Sequence, residues 1–181
     1  MSEIHRKLDT GELNRLTAEE FKHVQKIPVT VVLDNIRSQH NIGSVFRTCD
    51  AFRVEKIVLC GISATPPNRE IHKTALGAEF TVEWKYEENS LNAATKLKED
   101  GYIIVSVEQA ENSCSLESFL PCTDKKYALV FGNEVKGVSP NIISLSDICL
   151  EIPQFGSKHS FNVSVSAGIV LWELFRKISN I

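Results

Sequence analysis

The chain has 181 residues, of which 43% are hydrophobic and 24% charged, and its formal net charge is −3. That length and apolar share suit one domain with a real core and exclude a disordered or collagen-like chain. The slight negative balance excludes a grip on nucleic acid spread over the whole surface, so any phosphate contact must be local.

The first 26 residues are polar and evenly charged, and their opening, MSEIHRKLDTGELNRL, lacks the apolar stretch of a secretory signal. Thr17 followed by Glu20 reads as a capping box, which predicts a helix over 18–26. Residues 1–27 are therefore expected to be an appendage, with the main domain over 28–181. VTVVLD (29–34) is a continuous β-branched run, the pattern of a buried strand. In 42–52, Ile42, Val45, Phe46, Cys49 and Phe52 share one helical stripe. KIVLCG (56–61) is a second buried strand, a short helix is expected near 69–76, and the alternating EFTVEWKY (79–86) predicts a strand.

A helix around 90–99 leads to a strand at 102–107, and 108–126 reads as loop with a short helical turn. YALVFG (127–132) is another buried strand. Ser139-Pro140 opens a helix, with Ser at the cap and Pro at the first position. DICLEIP (147–153) is the last strand, and a helix over 161–178 closes the chain. Strands that alternate with helices predict an α/β fold: a mostly parallel sheet flanked by helices. The last helix carries two apolar stripes, Val163, Ala167, Val170, Leu174 and Ile178 on one and Val165, Ile169 and Trp172 on the other. One stripe can meet the sheet, and the other predicts a homodimer.

The five cysteines include no C-x-x-C pair, and no Cys/His group has zinc spacing, so reduced thiols in or near the core and no metal site are expected. No apolar run reaches membrane-spanning length. A soluble, cytoplasmic protein is the expectation. Charge is segregated: residues 35–73 carry a balance of +3 and residues 79–124 a balance of −7. A basic face remains possible in the first, while the second should face away from phosphate.

Three loops after strands carry candidate chemistry, since such loops hold the ligand sites of α/β folds. In the first, Asn41 can cap the helix beginning near Ile42, Gly43 permits close backbone approach, and Arg37 and Arg47 beside the helix N-terminus would suit a phosphate. A plain capped helix with solvated arginines would look the same. The second, FGNEVKG (131–137), places Glu134 at a strand end, as a general base, a cation ligand or part of an ordinary glycine-rich turn. In the third, IPQFGSKHSFNVS (152–164), Ser160 can cap the last helix with Asn162 in its first turn, and His159 reads as a solvated loop residue. Walker, dinucleotide and nucleophile-elbow signatures are all missing.

Taken together, the three loops resemble the three motifs of the SpoU (TrmH) family of SPOUT-class RNA 2′-O-ribose methyltransferases. Asn35, Asn41, Gly43, Arg47 and Thr48 match the first, Gly132, Asn133, Glu134 and Gly137 the second, and Ile152, Pro153, Gly156, Ser160, Asn162, Val163 and Ser164 the third. Phe161 stands where the family usually has Leu, and the match runs from about residue 28 to 178. The resemblance implies a C-terminal trefoil knot and a homodimer through the last helix. It also implies S-adenosylmethionine held by Val107, Glu108, Gly132, Ile152 and Phe161, and a tRNA or ribosomal RNA substrate. Arg47 would bind the neighbouring phosphate and stabilise the developing alkoxide, with Asn41, Glu134, Ser160 and Asn162 orienting the reacting groups. Asn35, Arg37, Arg47 and Lys158 would face RNA. A non-catalytic RNA-binding factor on the same fold, or a small nucleotide or flavin binder, are the alternatives.

Overall fold

A computed structural model of the chain describes residues 5–179; residues 1–4 of the expected appendage and 180–181 lie outside them. One sheet is built from β1 (Ile27–Asp34), β2 (Val54–Cys60), β3 (Glu83–Glu87), β4 (Tyr102–Val107), β5 (Cys114–Ser115), β6 (Lys126–Phe131) and β7 (Ile148–Glu151). Their spatial order is β3-β2-β1-β6-β4-β7-β5, and every pairing is parallel. At the centre, Val31 pairs with Ile57 on one side and Leu129 on the other.

The β-branched runs work as central strands because both their faces are covered. The helices are α1 (Ala18–His23), α2 (Gln39–Ala51), α3 (Arg69–Ala75), α4 (Ser90–Glu99), α5 (Pro140–Leu145) and α6 (Val163–Ser179). Val29, Val31 and Leu33 share one core with Ile42, Val45 and Phe46 of α2, Ile71 of α3 and Val170 and Leu174 of α6. Val32 points the other way, into a second core with Ala94 and Leu97 of α4 and Ile142 of α5. From β1 the chain builds outward to β3, crosses to the far side, and returns to lay β6 between β1 and β4. The C-terminal ends of these strands form the crevice in which such sheets bind ligands. Among the described residues no helix is long and apolar enough to cross a membrane.

Several boundaries differ from the sequence expectations for local reasons. The helix expected over 18–26 stops at His23, where Lys26 donates its ammonium to the Phe21 carbonyl. Residues 78–80 form a 3-10 turn instead of opening a strand: buried Glu79 accepts from the Gly77 amide at 3.0 Å, and Thr81 donates to Asp50 at 2.5 Å, which holds the segment out of the sheet. The segment 108–126 contributes the two-residue edge strand β5. The last strand is trimmed to Ile148–Glu151, because Asp147 turns to bond Lys98 and the Ile104 amide. All five cysteines are free thiols, and Cys122 is exposed, outside the core expected for it. Burial raises the Cys49 thiol, and burial together with nearby Asp34 pushes Cys60 up to about 12, so both are inert as nucleophiles.

Candidate functional site

At the C-terminal ends of β4, β6 and β7 lies an open cavity of about 710 Å³, within the usual range for small-ligand pockets. Its walls are the segment after β4 (Val107, Glu108), the loop after β6 (Gly132 to Val138), the segment after β7 (Ile152, Gln154) and the start of α6 (Ser160, Phe161, Asn162). The five residues expected to hold a cofactor thus come from four separate stretches of chain to one cavity.

The loop after β6 is tightly folded. Asn133 and Gly137 exchange backbone hydrogen bonds of 3.0 and 2.9 Å, and Asn133 Oδ1 accepts from the amides of Val135 and Lys136. Gly137 has φ +69°, and a side chain on it would run into the Glu108 carboxylate. A side chain on Gly132 would strike the backbone of Gly137 and Val138. Both positions therefore need glycine, one for conformation and one for space. Glu108 completes the clamp: Oε2 accepts from the Val138 amide at 3.0 Å and Oε1 from Gln109 at 2.9 Å.

Glu134 reaches across to the loop after β1. Its Oε2 accepts from the Arg37 amide at 2.9 Å, while Oε1 accepts from the Ser38 amide and from Asn41 Nδ2, both at 3.0 Å. Burial works to raise this carboxyl, but the amides of Arg37 and Ser38, its own amide and Asn41 outweigh it and hold Glu134 below its ordinary value. Asn41 Oδ1 in turn accepts from Asn162 Nδ2 at 3.2 Å. One polar chain, Glu134–Asn41–Asn162, therefore joins the three loops that sequence alone had set apart.

Two capping assignments change. Ser38, not Asn41, caps α2, with its hydroxyl accepting from the Asn41 amide at 3.2 Å. The helix starts three residues earlier than expected, which frees the Asn41 side chain for the cross-loop bonds. Asn162, not Ser160, caps α6: its Oδ1 accepts from the Ser164 amide at 2.9 Å and hydroxyl at 2.7 Å. Gly43 does serve close approach, since a side chain there would meet Thr74 and the Ile71 carbonyl of α3.

The expected RNA-facing residues divide. Arg37 lines a shallow depression with Ser38 and Glu134. Arg37, Arg47 and Lys158 are exposed, and among the described residues none of their side chains forms an ion pair or hydrogen bond; none of the three lines the main cavity. Asn35 is turned inward. At φ +59°, it donates to Asp34 at 2.8 Å and to Ser90 at 3.4 Å and accepts from the Ile62 amide at 3.3 Å, so its amide is engaged within the protein.

Sequence reasoning missed Asp34. It is fully buried, yet it ends the apolar run of β1. Oδ1 accepts from Asn35 and from the Ser90 hydroxyl (2.5 Å), and Oδ2 accepts from the Ser139 amide (2.9 Å) and hydroxyl (2.7 Å). It thereby fixes the far end of the loop after β6. The available signal was a charged residue inside a segment read as buried, which has to be paired. Among the described residues no cluster of three His, Cys, Asp or Glu could hold a metal ion.

The pattern of the SpoU rRNA Methylase family matches residues 28–172. The chain is 33% identical over 157 residues to the 23S rRNA (guanosine-2′-O-)-methyltransferase RlmB of Neisseria meningitidis, covering 87% of this chain and 62% of that protein. It thus spans about three fifths of the length of the first curated relatives it matches. The crystal structure of the A. aeolicus TrmH/SpoU tRNA modifying enzyme superposes with a TM-score of 0.78 at 29% identity, over 90% of this chain and 81% of that one. An AdoMet-bound rRNA methyltransferase from Sinorhizobium meliloti superposes with a TM-score of 0.76 at 25% identity, over 87% and 59% of the two chains.

Proposed function

The chain belongs to the SpoU rRNA Methylase family, and from that premise we propose that it methylates a ribose 2′-hydroxyl of tRNA or ribosomal RNA, with S-adenosylmethionine as the methyl donor. The observation that carries this reading is the convergence of three distant loops: one cavity of ligand size, with the Glu134–Asn41–Asn162 chain at its edge. The cavity walls suit a cofactor. Val107, Ile152 and Phe161 offer apolar surface, and the glycine-dependent loop after β6 brings backbone close. S-adenosylmethionine supplies, when bound, a methyl group carried on a positively charged sulfur.

A ribose 2′-hydroxyl is a poor nucleophile, so the protein has to position it and ease the loss of its proton. Glu134 is engaged by three donors and sits below its ordinary value, which makes it a clamp for the first loop and a poor base. Asn162 and Ser160 stand at the cavity wall to orient the reacting groups. Arg47 is exposed on α2. Its role is to hold the adjacent phosphate and stabilise the oxygen as negative charge develops. Arg37 and Lys158 extend that contact along the RNA backbone.

A homodimer through α6 belongs to the same reading, and the half-exposed Val165 and Trp172 support it. The same reading includes a trefoil threading of the C-terminal segment. A cytoplasmic location fits five unpaired cysteines. The test is transfer of labelled methyl from S-adenosylmethionine into unmodified tRNA and ribosomal RNA, tried separately with the purified chain. Incorporation at a 2′-hydroxyl of one pool is expected. No incorporation together with no cofactor binding by calorimetry would replace this reading with a non-catalytic one.

A further inference from the structure

Phe155 is the most exposed large apolar side chain among the described residues, at 96%. It lies between Ile152 and Gln154, which line the cavity, and Ser160 and Phe161, which line it again after the loop turns back. The fold gives the ring no packing role, and leaving it in water forgoes the gain that burial would bring. A side chain on its neighbour Gly156 would likewise meet nothing within 4 Å, so the chain beside the ring is open as well. The loop is otherwise polar and cationic: Ser157, Lys158 and His159 follow. Lys136, exposed on the facing loop after β6, and Lys158 make no ion pair among the described residues.

We propose that the Phe155 ring is a stacking platform for an unpaired nucleobase at the transfer site, with Lys136 and Lys158 taking the flanking phosphates. This rests on the RNA methyltransferase reading and adds to it the residue that would hold the base. A flat ring among cations is the composition that holds single-stranded nucleic acid. In a duplex the base faces are covered, and recognition runs through phosphates and 2′-hydroxyls, for which an exposed phenyl ring is useless. A protein partner is less suited, because the residues that flank the ring in the chain, Gln154, Gly156 and Ser157, are polar or lack a side chain, whereas the core of such an interface is apolar.

The test uses the whole chain saturated with S-adenosylmethionine. A labelled 12-nucleotide mixed-sequence oligoribonucleotide is titrated by fluorescence anisotropy, alone and annealed to its complement. Phe155→Ala should weaken binding of the single strand about five- to hundredfold, the span that loss of one stacked base implies. Phe155→Leu, which keeps apolar bulk without a flat face, should weaken it comparably, and Phe155→Trp should restore it. Duplex binding should not respond to any of the three. Wild-type affinity for the single strand in the Ala or Leu variant would overturn the proposal. So would a wild-type protein that prefers the duplex, or a Phe155→Ala chain that loses its dimer in sedimentation, which would assign the ring to a second copy. If the wild type neither binds S-adenosylmethionine nor transfers methyl, the underlying reading fails and takes the proposal with it. If both persist while the ring proves irrelevant, only the stacking claim falls.

Discussion

Glu134 spends three of its roughly four acceptor positions on Arg37, Ser38 and Asn41. Its lowered carboxyl sets the sign of its pH dependence. The stabilisation is fully present above the ordinary carboxylate value and is lost as pH falls through the lower folded one. Comparing thermal unfolding of wild type and Glu134→Gln should therefore show a gap at pH 7 that persists at pH 5 and closes below about pH 4. Because the side chain is exposed and screened, that gap should be about 1 kcal/mol, or about 2–4 °C. Arg47 is predicted to matter for rate and not for cofactor affinity. Arg47→Ala should lower methyl transfer by about 100-fold or more while S-adenosylmethionine binding, read by calorimetry, stays unchanged. Normal turnover in that variant would remove Arg47 from the site. Both residues were legible in the sequence as polar groups beside strand ends. The contacts of Glu134 were not, because the Arg37 amide that it binds lies 97 residues away in the chain and no local pattern encodes a contact of that range.

Elements repeat this division. The stripe of α2 was readable because burial on one face imposes a helical period, and the runs of β1, β2 and β6 because burial on both faces makes them continuously apolar. The 3-10 turn over 78–80 escaped, since the alternation of EFTVEWKY mimics a strand and the deciding bonds come from Asp50 and His72 on other elements. Asp34 is where elements are locked together: it joins the end of β1 to Ser90 at the start of α4 and to Ser139, the cap of α5. Asp34→Ala would leave the Ser139 amide and two hydroxyls without their acceptor. A loss of about 3 kcal/mol is expected, read as a fall in Tm of about 6–12 °C. A variant as stable as wild type would show that water replaces the carboxylate at no cost.

At the scale of the molecule, α6 turns Val163, Ala167, Val170 and Leu174 into the core and leaves Val165 and Trp172 about half exposed, with Trp172 tilted against Phe52 at 5.8 Å between ring centroids. A dimer through this face predicts that Val165→Glu with Trp172→Glu gives a folded monomer in sedimentation, because a buried unpaired carboxylate is costly in an interface and cheap in water. A dimer that survives both changes would move the interface elsewhere. The sequence by itself determined the α/β class, most elements and the three loops that bear polar chemistry, because hydrophobic periodicity and turn residues act over a few residues and leave local marks. Only the tertiary structure decided that Ser38 and Asn162 cap α2 and α6, that Asn35 faces inward, that Asp34 is a junction, and that Glu134, Asn41 and Asn162 form one chain. Those are pairings between groups brought together by the parallel sheet, and a parallel sheet pairs strands that the sequence keeps far apart.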